Sequence, residues 1–256
     1  MCLVAFSWQP GSDLPLLLVG NRDEFHARPA RPLRFWDDAP MLLAGRDEKE
    51  GGTWLGVTRQ GRWATLTNYR EPGGMQPGEL SRGKLVADFL RGDFSPLEFA
   101  AQVAGEGERY NGFNLLVGDR DSAAIVSNRG AAPRQLSPGL YGLSNHLLDS
   151  PWPKTERLKQ GLAERLAQGA LTPDDLLPLL ADQTQPADED LPDTGVGLVW
   201  ERLLGTAFIR SPLYGTRASS LLWLGRTRAR LFERGWLADG QGEDNDFAFN
   251  LDDRTD

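Results

Sequence analysis

The stretch Met1-Cys2-Leu3-Val4-Ala5-Phe6-Ser7-Trp8-Gln9-Pro10-Gly11-Ser12-Asp13-Leu14-Pro15-Leu16-Leu17-Leu18-Val19-Gly20-Asn21-Arg22-Asp23-Glu24 decides the fold. Leu3 to Trp8 and Leu14 to Gly20 are short apolar runs rich in Leu, Val and Phe. Pro10-Gly11-Ser12-Asp13 between them is turn chemistry, so the chain is expected to open with a β-hairpin. The polar run Asn21-Arg22-Asp23-Glu24 follows its second strand.

The same pattern continues outward. Thr53 to Thr58 and Arg62 to Asn68 read as a second strand pair, joined by Arg59-Gln60-Gly61. Phe113 to Gly118 and Ala123 to Ser127 are joined by Asp119-Arg120-Asp121-Ser122, and Leu140 to Asn145 is a further strand. Ala207 to Arg210, Ser219 to Leu224 and Ala229 to Glu233 close the series. Helices are expected over Ser81 to Leu90, after Ser95-Pro96-Leu97-Glu98, over Lys154 to Gln168 and after Thr172-Pro-Asp-Asp175. The second and fourth open with capping residues, and Leu158, Leu162 and Leu166 recur at four-residue spacing. The order strands, helices, strands, helices, strands is not the alternation of a parallel βαβ sheet. It predicts an α+β layered protein with mainly antiparallel sheets. One domain is expected over residues 1–238, with an acidic mobile tail over 239–256.

Composition narrows the function classes. The 256 residues carry 28 basic and 36 acidic side chains, a net charge of −8. The acids concentrate in the loop Asp182 to Asp193 and after Asp239, leaving a mildly basic, arginine-rich body. No strongly basic face calls for a nucleic-acid partner. The longest clearly apolar stretch, Pro15 to Gly20, is far short of the ~20 residues of a membrane-spanning helix. The N-terminus lacks a basic region and cleavage site, so a cytoplasmic location is expected. A single cysteine excludes an intrachain disulfide framework and a Cys-cluster metal site, and His26 and His146 alone make no metal centre. Neither a Gly-x-Ser-x-Gly elbow nor a phosphate-binding glycine loop is present.

Cys2 remains as a source of chemistry. Its bland reading is a small hydrophobe in the first strand. Its position offers another. Cysteine is small enough for Met1 to be removed, which frees an α-amine on the residue that carries the thiol. That amine has a reference pKa of about 7.7–8.0 and can serve as general base for its own side chain. A guanidinium nearby favours the thiolate, and Asn side chains can stabilise an oxyanion. Four segments at strand ends offer such groups: Asn21 to Glu24, Thr67-Asn68-Tyr69-Arg70, Leu143-Ser144-Asn145-His146 and Gly215-Thr216-Arg217-Ala218-Ser219. Turn capping and surface ion pairing are the alternatives for each. In Gly45-Arg-Asp-Glu-Lys-Glu-Gly-Gly-Thr-Trp-Leu-Gly56, Gly51 and Gly52 permit an unusual turn or a close approach. Trp54 there offers either a flat ligand surface or a core anchor.

Met1-Cys2, Gly20-Asn-Arg-Asp-Glu-Phe25, Arg28-Pro29, Gly45-Arg-Asp47, Gly51-Gly-Thr-Trp-Leu-Gly56, Leu66-Thr-Asn-Tyr-Arg70 and Tyr214-Gly-Thr-Arg217 together resemble the NRDE family, also called the Transport and Golgi organisation 2 family. The resemblance implies the N-terminal-nucleophile (Ntn) hydrolase fold, a four-layer αββα sandwich. More distantly the chain is similar to the choloylglycine hydrolase and penicillin V acylase branch. That likeness implies Cys2 as nucleophile, Arg22 and Arg217 as holders of thiolate or substrate, and Asn68 and Asn145 as oxyanion and amine positioners. The branch has an Asp three residues after its first Arg, where this chain has Phe25, so Asp23 or Glu24 stands in. Asp23, Glu24, Trp54 and Tyr69 are the substrate-binding candidates, and no metal is expected.

The expected activity is hydrolysis of a linear amide or related acyl substrate, without a cofactor. A second expectation comes from eukaryotic relatives: a non-catalytic carrier of haem, acyl-CoA or lipid on the same fold, with Cys2, His26 and His146 as the iron-ligand candidates. A third is an interaction module acting through the acidic tail. The partner is thus a small acyl, amide or hydrophobic molecule, and oligomeric state is left open.

Overall fold

The computed structural model describes residues 2–72 and 79–252. In chain order its strands are β1 (Cys2–Trp8), β2 (Leu16–Phe25), β3 (Ala30–Trp36), β4 (Ala39–Asp47), β5 (Leu55–Thr58) and β6 (Trp63–Asn68). Helices α1 (Arg82–Arg91) and α2 (Pro96–Gly105) follow. Next come β7 (Phe113–Gly118), β8 (Ala123–Ser127), β9 (Arg134–Gln135) and β10 (Gly139–Leu143). Helices α3 (Pro153–Gln168), α4 (Pro173–Leu180) and α5 (Leu198–Leu204) lead to β11 (Tyr214–Leu224), β12 (Arg228–Leu237) and β13 (Gly240–Asn250).

Two sheets form. One has the order β10-β1-β2-β11-β12-β13; the other runs β3 to β9 in sequence order. All the strand pairings are antiparallel. Side chains alternate across each strand. Val4, Phe6 and Trp8 of β1 and Leu16 and Leu18 of β2 therefore meet Leu43, Val57, Trp63 and Leu116 of the other sheet in an inner core. The opposite face of the first sheet, Leu3, Ala5, Leu17 and Val19, packs on Leu158 and Leu162 of α3 and Leu176 and Leu180 of α4. The outer face of the second sheet, including Leu42, Leu115 and Val117, packs on Phe89 of α1 and Phe99 and Val103 of α2. Each fully buried side chain of this kind contributes roughly 1.5–3 kcal/mol. The result is the expected four-layer αββα sandwich. Both expected caps form: Ser95 exchanges hydrogen bonds with Glu98, and Thr172 with Asp175.

Two local expectations are corrected, and two strands are added. Gly240–Asn250, placed by its acidity in a mobile tail, is a full strand on the edge of the first sheet. One face of β13 carries Asp244 and Asp246, which pair with Arg234 and Arg230 on β12. The other carries Phe247 and Phe249, which pack edge-on against Phe35. Ala207 to Arg210 is not a strand; only an isolated bridge joins Arg210 to Gly215. β3 and β4 were missed because Pro32 and Pro40 interrupt their runs and much of β3 is exposed, which is tolerable at a sheet edge.

The Gly51-Gly52 pair has a packing reason. Gly51 adopts φ +75°, and a Cβ on Gly52 would lie 2.4 Å from the carbonyl carbon of Gly83 in α1. The Thr53 N–H donates to the Gly83 carbonyl at 3.1 Å, so α1 docks backbone to backbone on this turn. Gly52→Ala is expected to cost about 1–3 kcal/mol in urea unfolding. Gly105→Ala, at a site with open space around it, is the control expected to cost nothing.

Candidate active site

A cavity of about 1000 Å³ opens between the strand ends of the two sheets. Cys2, Arg22, Asp23, Glu24, Trp54, Asn68, Tyr69 and Arg217 all line it. Asn145 alone of the nine sequence candidates does not.

Strand register assembles this set. Cys2 faces the inner core with Val4 and Phe6, and lies opposite Arg22 on β2. Arg22 in turn lies opposite Ala218 on β11, where the pairing skips Arg217. That bulge turns Arg217 toward the segment after β2. Arg217 Nη1 donates to the carbonyls of Phe25 at 3.1 Å and His26 at 2.8 Å, and Nε donates to Trp236 O at 3.3 Å. Its bonds thus brace the cavity rim. Arg22 makes no hydrogen bond or ion pair with any described residue. The side-chain amide of Asn68 is likewise uncommitted among the described residues. Arg22, across from Cys2 in the sheet, and Asn68 both line the cavity.

Asn145 lies one layer behind. It is fully buried, its Nδ2 donates to Asn68 O at 3.0 Å, and its carbonyl accepts from the Arg70 N–H at 2.7 Å. It positions the Asn68-Tyr69-Arg70 segment. Asn21 is structural too: its Nδ2 ties the sheet to Leu180 O and Ala207 O, both at 2.8 Å. The family motifs meet at the rim, where Arg28 Nε sits 2.6 Å from Asp47 Oδ2 and 3.8 Å from Glu24 Oε2, linking β2 to β4. Trp54 packs over Gly20, where a Cβ would also lie 2.6 Å from Val4 Cγ1.

The electrostatics run partly against a free thiolate. Burial pushes the Cys2 thiol up to about 11; Asp23 and Glu24 add to this and Arg22 opposes it. Burial also raises Asp23, whose Oδ1 accepts from Thr216 Oγ1 at 2.8 Å, while Lys154 opposes the rise. Glu233, buried on β12 at the cavity wall, is raised by burial and accepts from the Leu33 N–H at 2.9 Å. Arg82 of α1 lines the cavity; burial lowers its pKa, and Cys2 and Glu24 favour its charge.

Arg82, Lys154, Glu201 and Glu233 escaped the sequence reading. Only Lys154 carried a signal there: a cation at the start of a helix, where the dipole disfavours it.

Among the described residues no group of three or more His, Cys, Asp or Glu side chains is placed to hold a metal ion. Of the haem-ligand candidates, only Cys2 lines the cavity. His26 Nε2 is hydrogen-bonded to Ser211 O at 3.0 Å, and His146 to Ser150 Oγ at 2.7 Å between Tyr69 and Trp152. Both imidazoles are thus held by hydrogen bonds away from the cavity lining. No described helix is long and apolar enough to cross a membrane.

The fold has solved relatives. A mutant conjugated bile acid hydrolase from Clostridium perfringens superposes with a TM-score of 0.51 at 8% identity, over 98% of this chain and 92% of that one. The N-acylethanolamine-hydrolyzing acid amidase ortholog of Caenorhabditis elegans gives 0.50 at 10% identity, over 86% and 92%. Both likenesses concern the fold. In sequence, a Bos taurus Transport and Golgi organization protein 2 homolog is 38% identical over 243 residues, 87% of this chain and 88% of its own. The Transport and Golgi organisation 2 family model matches residues 1–237, and the chain belongs to that family.

Proposed function

We propose that this protein is a cysteine amidohydrolase of the Ntn type, acting on a linear amide or related acyl substrate once Met1 is removed. The observation that carries the reading is the meeting of Cys2 with two uncommitted donors, Arg22 and Asn68, on the wall of one large cavity. In the processed protein the Cys2 amine takes the thiol proton, and Sγ attacks the carbonyl carbon. The oxyanion accepts from Asn68 Nδ2. The ammonium returns its proton to the leaving amine as the carbon–nitrogen bond breaks, and water then hydrolyses the thioester. Arg22 supports the thiolate, while Asn145 and Arg217 hold the walls.

The test joins intact mass of the native protein to turnover of a panel of N-acyl amides. Loss of Met1 together with release of the amine is the expected result. Asn68→Ala is expected to lower kcat by about 10²–10³ with KM little changed, as for loss of one oxyanion donor. An unchanged kcat would remove Asn68 from that role.

A second reading, a carrier of a hydrophobic ligand, has one observation in its favour. Phe25 and Leu237 are exposed at the cavity wall beside Trp200 and Trp236. Saturable acyl-chain binding without turnover, unchanged in Cys2→Ala, is its signature.

A further inference from the structure

Lys154 breaks several local rules together. It lies in the first turn of α3, where the helix dipole disfavours a cation. It is 2% exposed and makes no hydrogen bond or ion pair with any described residue. A second cation, Arg70, is buried nearby. Buried charge without a bonded partner is costly, and local rules broken without local gain mark functional or strained sites.

Its place is fixed by packing. β10 pairs with β1, and the chain leaves β10 beside Cys2, with Ser144 Oγ 3.4 Å from Cys2 O, before turning into α3. Gly142 lets the helix close in: a Cβ there would lie 2.5 Å from Thr155 Cγ2. The first turn of α3 is thereby pressed onto the Cys2 end of the sheet. The charged and titratable groups that act on Lys154 are Arg70 from the segment after β6, Asp23 from β2, Cys2 from β1 and Glu201 from α5. On its own helix, Glu156 pairs with Lys159, and Arg157 with Asp182. Arg70 is matched by Glu201. Asp23, buried on β2, favours the charge of Lys154.

We propose that Lys154 is a positioning residue for the nucleophile: its buried ammonium offsets the Asp23 carboxylate and sets how readily Cys2 becomes a thiolate. Asp23 disfavours the thiolate, and the charges of Lys154 and Cys2 favour one another. Burial, with help from Arg70, draws Lys154 down to about 7. Its support for the thiolate is therefore present below neutrality and lost above it.

The inference rests on Cys2 as the reactive group. Its test, however, reads the thiol whether or not any amide is hydrolysed. The rate of Cys2 alkylation by iodoacetamide is followed against pH in the full chain. Wild type should rise with pH, flatten just above about 7 as Lys154 loses its proton, and rise again at high pH. Lys154→Met should lose the flat segment and react about tenfold more slowly below neutrality, the effect of a one-step change in thiol pKa. Lys154→Arg, permanently charged, should also lose the flat segment while staying at or above the wild-type rate. Asp23→Asn should react faster than wild type. Superimposed profiles for wild type and Lys154→Met, or a Lys154→Arg rate as low as that of Lys154→Met, would overturn the proposal. Should Lys154→Met fail to fold by circular dichroism, the difference between the wild-type and Lys154→Arg profiles decides alone, since the N-terminal α-amine titrates in the same range in both. No flat segment in wild type is likewise fatal.

Discussion

Cys2→Ala is expected to fold like wild type and to lose amide hydrolysis by more than about 10³-fold, because the proposed acyl intermediate forms on the Cys2 sulfur. The fold should survive because the thiol fills little of the inner core. Val4, Phe6 and Trp8 on the same face of β1 carry its packing. Circular dichroism and thermal unfolding check the first half, and product-amine release checks the second. Wild-type turnover that survives in Cys2→Ala would end the nucleophile reading, since this is the only cysteine in the chain. Cys2→Ser separates two roles of the residue. It keeps the α-amine and a nucleophilic oxygen, but the hydroxyl is the poorer nucleophile. A measurable remnant of activity in Cys2→Ser, absent in Cys2→Ala, would show that the side chain acts as the nucleophile, since both variants keep the amine. The thiol's displacement to about 11 makes processing matter. With Met1 in place no free amine is present on Cys2, so turnover should track the fraction of protein that has lost Met1.

The sequence exposed the elements whose periodicity is unambiguous. The opening hairpin, the β7–β8 pair and the capped helices α2 and α4 all lie where alternation and capping chemistry put them. β13 was hidden by its own charge. Asp244 and Asp246 read as a solvated tail until Arg230 and Arg234 on the neighbouring strand are seen to match them. The alternation that announces the strand, with Phe247 and Phe249 on one face, was present but outweighed by acidity.

At the site, the strand-end residues Cys2, Arg22 and Asn68 were legible because motif and strand end coincide. Asn145, expected beside Asn68 as an oxyanion or amine positioner, does not line the cavity and donates to Asn68 O. A strand-end Asn in sequence does not reveal which way its amide turns. Lys154 and Glu201 were illegible for a different reason. Each sits on a helix that reaches the site from outside the sheet, and their relation to Asp23 and Arg70 exists only in three dimensions.

The second large effect concerns that outer layer. Arg70→Met is expected to destabilise the protein by about 3–5 kcal/mol, the cost of leaving one member of a buried ion pair without its partner. Arg70 and Glu201 are both nearly inaccessible and are joined by a hydrogen bond from Nη1 to Oε2. Glu201 Oε1 is satisfied by the Thr194 N–H at 2.9 Å, and the Arg70 guanidinium also stacks 4.6 Å over Trp152. Removing the guanidinium strands the carboxylate in a low-dielectric site and empties the space over the indole. Glu201→Gln should cost less, because the amide can still accept at one atom and carries no charge to desolvate. The double variant Arg70→Met, Glu201→Leu should recover much of the loss, since apolar pairs replace buried ion pairs at little net cost. Urea unfolding followed by tryptophan fluorescence measures all three. If Arg70→Met and the double variant lose the same stability, the pair is not what holds this layer. The site should respond with the layer. Arg70 anchors the segment carrying Asn68 to Asn145 on one side and to α5, with Trp200 at the cavity wall, on the other. A folded but loosened Arg70→Met protein should therefore lose kcat before it loses ligand binding, because an oxyanion donor misplaced by a fraction of an ångström fails the transition state first.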